Sequence, residues 1–368
     1  MCSRHRGKKY PLTLLSLHSY ILQRQEVATL IQFARHGSEE NNVTPHRELL
    51  QERVREETPI NVRCLYGQDR SYIQREGNEI QIHMKIPVFG AHDSEVLLDA
   101  PSGQIYRQDD FYLVETPTRL VGALIRPIDF PLEPHAFAVY QSLLRITQGW
   151  NFFRIWNYVP YINQDSFEME NYKSFCKGRS LAFEEYFGQG FEVQLSAASA
   201  VGINDNNLVL YFVAGKEEGL HVENPEQVAA FRYPQQYGPR APSFARGTLV
   251  QNGDRTGYIS GTASIKSHES VTLSSISEQL YTTIDNISLV FERMGLLTDR
   301  MSYSVPLPDR HYQRQFKVYI RHEKDVPLLR QQFEQMIGLS DVDSVLYLRA
   351  DICRAELDLE IESVIQGS

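Results

Sequence analysis

A chain of 368 residues, 42% of them hydrophobic, is long enough for two domains and a large buried core. Its formal charge of −9 argues against a general nucleic-acid or anionic-membrane surface, which needs a net basic face, yet leaves room for a small anion at a local arginine cluster. Cys2, Cys64, Cys176 and Cys353 follow neither CxxC nor His/Cys spacing, so no metal site or disulfide framework is signalled, and reduced thiols in a cytoplasm are expected.

Along the chain, residues 1–60 are rich in charge and Asn and read as an N-terminal extension without assigned chemistry. Basic residues at Arg4, Arg6, Lys8 and Lys9 precede a short apolar run broken by Ser and His, a poor signal peptide, and no window approaches a spanning helix. No P-loop, GxGxxG, HExxH or GxSxG occurs. From Gln81 the texture changes to short extended pieces, IQIHMKIPVF, FYLVET and RLVGALI, parted by turn residues. A helix over HAFAVYQSLLRI, a buried strand over FFRIWNYVPYI, a second helix from about Glu168 to Phe187, and strands over VQLSAASAV and NLVLYFVAG complete a first unit.

The segment Glu223 to Arg246, ENPEQVAAFRYPQQYGPRAPSFAR, carries four prolines, four aromatic rings and three arginines. Each proline removes a backbone donor and pushes its predecessor toward extended geometry, so an irregular, fixed loop is expected. Arg232, Arg240 and Arg246 are planar forks suited to carboxylate or phosphate, with Tyr233, Tyr237 and Phe244 as apolar walls. The competing reading is a surface loop whose arginines pair with an acidic protein.

Beyond the loop the first order of elements returns. GTLVQ and TGYISGTASI read as strands, and Ser275 with Glu278 makes a capping box. The helix that follows has an apolar stripe at Leu280, Ile284, Ile287 and Phe291 and a stop at Gly295. FKVYIRH is a strand, Asp325 caps a helix through Ile337 that Gly338 ends, and SVLYLRADI and LDLEIESVI are the final strands. Two copies of one α/β unit suggest a pseudo-dimer with a site between the halves. Strand alternation sets Glu356, Asp358, Glu360 and Glu362 on one face, either a solvated outer face or a source of a general acid, and periodicity does not choose among the four.

Several long motifs, in order, carry a family resemblance: RIWNYVPYIN (Arg154 to Asn163), NYKSFCKGRSLAF (Asn171 to Phe183), SAASAVG (Ser196 to Gly202), the proline-rich loop, SGTASI with His268, and ADICRAELDLEIE (Ala350 to Glu362). They resemble the chorismatases, which are built on the fold of the small Rid/YjgF proteins. The resemblance implies an α/β (α+β) fold of two Rid/YjgF-like units, each a mixed sheet with helices on one face, in a pseudo-dimeric arrangement. The expected division is an extension over 1–60, an N-terminal unit over 61–220, and a C-terminal unit over 221–368 that carries the active site. Residues Arg300 to Gln315 look like an insertion.

The resemblance further implies removal of pyruvate from chorismate without metal or organic cofactor. One branch of the family hydrolyses the enolpyruvyl ether to a dihydroxycyclohexadiene carboxylate; others aromatise the ring to hydroxybenzoate. Among the four acids it selects Glu360, the first glutamate of EIE, as general acid. For the two substrate carboxylates Arg240 and Arg246 are the first candidates. Arg154, an arginine in an otherwise apolar strand, is either a ligand clamp or an interior ion-pair partner. Rid proteins carry a ligand arginine near the start of the penultimate strand, where Val345 stands here; Arg349 lies close by. Tyr237 and Tyr211 are candidate donors to the substrate's ring hydroxyl or ether oxygen, or core tyrosines with satisfied hydroxyls. His268 is an alternative acid or base. Gly247 with Cys353 matches the hydroxybenzoate-forming branch, so 3-hydroxybenzoate, with some 4-hydroxybenzoate, is the expected product from a monomer that binds no nucleic acid. A non-catalytic sensor of carboxylate metabolites and an imine deaminase are the competing functions.

Overall fold

Alternation of apolar and polar residues shapes the first strands. The computed structural model describes residues 58–271, 275–296 and 312–367; all but the last three residues of the expected N-terminal extension, and most of the expected insertion, lie outside them, and the first strand already starts at Ile60. Strands β1 (Ile60–Leu65), β2 (Tyr72–Glu76), β3 (Glu79–His83) and β4 (Ser94–Ala100) form a small sheet in the order β2-β3-β1-β4. In β1, Ile60, Val62 and Cys64 are buried while Asn61, Arg63 and Leu65 are half-buried, so one face is apolar. The first two of these strands lie upstream of Gln81, where the sequence reading begins its strands.

Next come β5 (Gln104–Gln108), β6 (Phe111–Glu115), β7 (Arg119–Pro127), α1 (Leu132–Ile146), β8 (Asn151–Pro160), α2 (Asn171–Phe187), β9 (Ala197–Ile203) and β10 (Asn207–Gly215). The second half gives β11 (Leu220–Val222), β12 (Gly247–Asn252), β13 (Asp254–Thr262), α3 (Ile276–Arg293), β14 (Tyr312–Ile320), α4 (Val326–Ile337), β15 (Ser344–Arg349) and β16 (Leu359–Gly367). The sheets run β5-β6-β7-β10-β8-β9 and β11-β12-β13-β16-β14-β15. In each, a three-strand meander accepts the last strand at its side, and only the outermost pair, β8 with β9 and β14 with β15, is parallel. The two halves are one topology used twice, as the order of predicted elements suggested.

The helices form close to where the sequence marks them, but the expected cap at Asp325 is not made: its backbone is already helical and its side chain accepts no cap hydrogen bond. At α3 the Ser275 hydroxyl accepts from the Glu278 amide and the Glu278 carboxylate accepts from the Ser275 amide, the reciprocal capping box. Leu280, Ile284, Ile287 and Phe291 are buried on the sheet, and the chain turns at Gly295 with φ +64°. Gly338 ends α4 in the left-handed region. Helices α1 and α2 cover one face of the first sheet, and α3 and α4 one face of the second. The other two faces meet across a shared core to which the small sheet contributes Ile60, Val62, Ile80 and Ile82. The layers are thus helices, sheet, sheet, helices, and β9 and β16 are brought to the seam between the halves.

Candidate active site

Strand β16 lies between β13 and β14. Its Leu359 and Ile361 pack toward α3 and α4, so Glu360 and Glu362 point into the seam, where both are buried. They form no solvated face, and Glu356 and Asp358 precede the strand. The two buried carboxylates have opposite surroundings. Glu362 accepts from Arg154 Nη2 at 2.7 Å, Trp156 Nε1 at 2.6 Å, Lys317 Nζ at 2.9 Å and the Ser199 hydroxyl. Burial pushes its pKa up, but Lys317 and Arg154 outweigh burial and leave it below the ordinary value.

Glu360 has no hydrogen-bond or ion-pair partner among the described residues. Burial first, then the negative Glu362, raise its pKa to about 8 against the pull of Arg154 and Arg246. It is therefore a neutral carboxylic acid, able to give up a proton, at neutral pH.

The Glu360 carboxyl borders a cavity of about 490 Å³ between the halves. Ala198, Ser199 and Ala200 of β9 form one wall, and Tyr172, Cys176 and Arg179 of α2 a second. Tyr233, Tyr237, Phe244 and Arg246 come from the proline-rich loop, and Cys353 and Arg354 from the turn before β16. The loop has only two short 3₁₀ turns, Ala230–Arg232 and Gln235–Tyr237, as its prolines require. Gly261 on β13 sits beneath the acid: a methyl there would collide with Glu360 Oε1 and come within 3.2 Å of Ser199 Cβ.

The cavity gathers some of the expected residues. Arg246 is 3% exposed, donates to the Tyr233 hydroxyl at 2.7 Å, and keeps its Nε without a partner. Tyr237 is in the wall, 3.2 Å from His268 Nδ1. Cys353 is there too, its thiol held well above the ordinary pKa by burial and by Glu360.

Five other candidates stand elsewhere. Arg240 is not in the wall, because its guanidinium is held outside by an ion pair with Glu184 of α2 at 2.5 Å. Arg154 is the ion-pair partner of Glu362, and Arg349 pairs with Asp351 at 3.0 Å. The Tyr211 hydroxyl lies in the core 3.0 Å from those of Tyr66 and Tyr158 and from Lys317 Nζ. Gly247 faces α3, where an added methyl would meet Met294 and Val290 rather than the cavity.

Sequence reasoning missed three cavity cations. Arg179 is 3% exposed, stacks on Tyr140 and Phe183, and has an unpartnered Nε. Lys173 sits in the first turn of α2, 3.5 Å from Glu170. Arg354 lies 4.0 Å over the Tyr237 ring and donates to the His268 carbonyl and Ser270 hydroxyl. A signal was present in NYKSFCKGRSLAF: Tyr172, Cys176 and Arg179 fall at helical spacing on one face, setting a guanidinium among buried residues.

Strand register explains why the two halves do not make two equal sites. The Tyr158 and Tyr319 hydroxyls meet at 3.0 Å across the seam from equivalent strands β8 and β14. Opposite Tyr319 stands Glu360; opposite Tyr158 stands Val209. The equivalent position in the first half is thus apolar, and the small sheet brings Glu95 to the cluster around Lys317.

A family model described as "Chorismatase FkbO/Hyg5-like, N-terminal" matches residues 106–214. A 3-hydroxybenzoate synthase of Streptomyces hygroscopicus is 35% identical, over 62% of this chain and 68% of that protein. A chorismatase of Streptomyces rapamycinicus is 33% identical, over 68% of this chain and 75% of that protein. The crystal structure of a chorismatase superposes with a TM-score of 0.72 at 24% identity, covering 89% of this chain and 96% of that one, and so shares the fold.

Proposed function

Because this chain belongs to the chorismatase family, we propose that it releases pyruvate from chorismate and that Glu360 starts the reaction as general acid. One observation carries the reading: a buried, unpartnered carboxyl, neutral at physiological pH, in the wall of a cavity that Lys173, Arg179, Arg246 and Arg354 also line. Chorismate is a dicarboxylate with a vinyl ether. It needs cations for its two carboxylates and an acid for the terminal methylene carbon. Arg246 and Arg179, each buried with a free Nε, take the carboxylates.

Glu360 protonates the methylene, which becomes the methyl group of pyruvate, and an oxocarbenium ion forms at the adjacent carbon. Two routes leave that ion. If water adds to it, the ether collapses to pyruvate and a ring diol. If the neighbouring ring hydroxyl displaces the side chain, the bond between ring carbon and ether oxygen breaks with its electron pair on oxygen, which becomes the keto oxygen of pyruvate. The hydroxyl oxygen, now bound to both ring carbons, leaves its original carbon as that carbon–oxygen bond breaks, and loss of the ring proton from the carbon that keeps the oxygen aromatises the product; that proton balances the one given to the methylene, and no water is consumed. Identity to a protein named 3-hydroxybenzoate synthase favours the second route, and the position of Cys353 in the wall beside the acid is consistent with it. A coupled pyruvate assay with chorismate, followed by chromatography of the ring product, tests both parts. Pyruvate with 3-hydroxybenzoate is expected; the diol alone would replace the second route by the first, and no pyruvate would end the proposal.

A further inference from the structure

A site of this kind faces a conflict. The guanidinium groups that hold a dianion also stabilise a carboxylate, and so act against keeping Glu360 protonated beside them. We propose that Glu362 resolves this as a positioning residue: its fixed negative charge, two residues along the same strand face, holds Glu360 in the acid form. The inference rests on the reading of Glu360 as general acid.

The geometry supports a charge that is built to stay. Glu362 is 2% exposed, and its donors come from three strands, Arg154 and Trp156 of β8, Ser199 of β9 and Lys317 of β14. Lys317 is itself fixed by Glu95 at 2.7 Å. Two buried cations, Arg154 and Lys317, facing Glu362 and the half-buried Glu95 keep Glu362 ionised. Ser199 joins the two regions, lining the cavity while it donates to Glu362.

The groups acting on Glu360 from each side are few. Glu362 faces it from its own strand, Arg154 from β8, Arg246 from the proline-rich loop, Cys353 from the preceding turn and Tyr172 from α2. Burial keeps the last two neutral. Burial is the largest influence on Glu360, and among the charges Glu362 acts more strongly than either guanidinium taken singly. Same-face neighbours on a strand are about 7 Å apart, and at an effective dielectric constant of about 20 a charge at that distance moves a pKa by about 1–2 units.

Two readouts test the proposal: the alkaline limb of the pH–rate profile for pyruvate release, and the infrared band of the protonated Glu360 carboxyl, assigned by its loss in Glu360→Gln. In Glu362→Gln both midpoints should fall by about 1–2 pH units. Arg154→Met combined with Glu362→Gln removes the ion pair as a unit and guards against misfolding from an unpaired buried arginine. Its midpoints should shift the same way by less, since one opposing cation goes too. An infrared midpoint unchanged from wild type in either folded variant would overturn the proposal. If the infrared midpoint falls while the pH–rate limb stays, the coupling stands and Glu360 is not the acid.

Discussion

Replacing Glu360 by glutamine should abolish much of the stability loss that the protein undergoes as pH rises from about 4.5 to about 8. Folding raises the pKa of this carboxyl from 4.5 to about 8, a difference of 8 − 4.5, or about 3.5 units. The sign follows from where the proton sits. Below pH 4.5 both folded and unfolded chains hold it and no penalty arises; between 4.5 and about 8 the unfolded chain releases it while the native protein keeps it, so stability falls as pH rises and levels off above the folded pKa. At about 1.36 kcal/mol per unit the full loss is on the order of 5 kcal/mol. Urea unfolding of wild type and Glu360→Gln at pH 5 and pH 9 isolates it, since every other titrating group is common to both. The wild type should lose several kcal/mol more than the variant between the two conditions. Equal losses would mean that Glu360 titrates normally in the native state, and the argument for a neutral acid would fail.

Other substitutions separate the cavity from its surroundings. Arg246→Ala should weaken chorismate binding by about 2–5 kcal/mol in calorimetry, and Arg246→Lys should not restore it fully, because one ammonium cannot make the paired contacts of a guanidinium. Arg240→Ala removes only a half-exposed pair with Glu184, so affinity should change by less than about 1 kcal/mol; a large loss would bring Arg240 back into the site. Gly247→Ala forces a methyl against Met294, Val290 and the Tyr258 carbonyl and should cost about 1–3 kcal/mol of stability without changing the ratio of ring products. Gly261→Ala instead displaces the Glu360 carboxyl, and should lower kcat at least about tenfold while Tm stays near that of wild type, because the end of one side chain must move rather than the backbone.

Much of the architecture was legible because local signals agree with the fold. The capping box at Ser275, the stripe on α3 and the run NLVLYFVAG, which is β10 from end to end, each specify their element without tertiary help. The repeated order of elements likewise foretold the repeated topology. The small sheet was not legible over its first strands: INVRCL and YIQRE are five or six residues long and half polar, and the core they cover is formed by distant parts of the chain. Glu360 was singled out only through the family motif, since alternation treats it and Glu362 alike. What divides them is which strand faces each one, a matter of tertiary register. For the same reason the proline-rich loop announced its arginines but not their directions: Arg246 turns inward beside Tyr233, and Arg240 outward to Glu184. Gly247 and Gly261 both lie on strands of the second sheet, yet on opposite faces, and only the fold shows which one touches the acid.

The central claim is that a neutral Glu360 protonates chorismate. Its most direct test is the rate of pyruvate release from chorismate by wild type and Glu360→Gln across pH 6 to 9. The wild-type rate should fall as pH rises through about 8, where the carboxyl loses its proton, and the variant should be at least about 100-fold slower throughout. A folded Glu360→Gln protein that releases pyruvate at the wild-type rate would contradict the account.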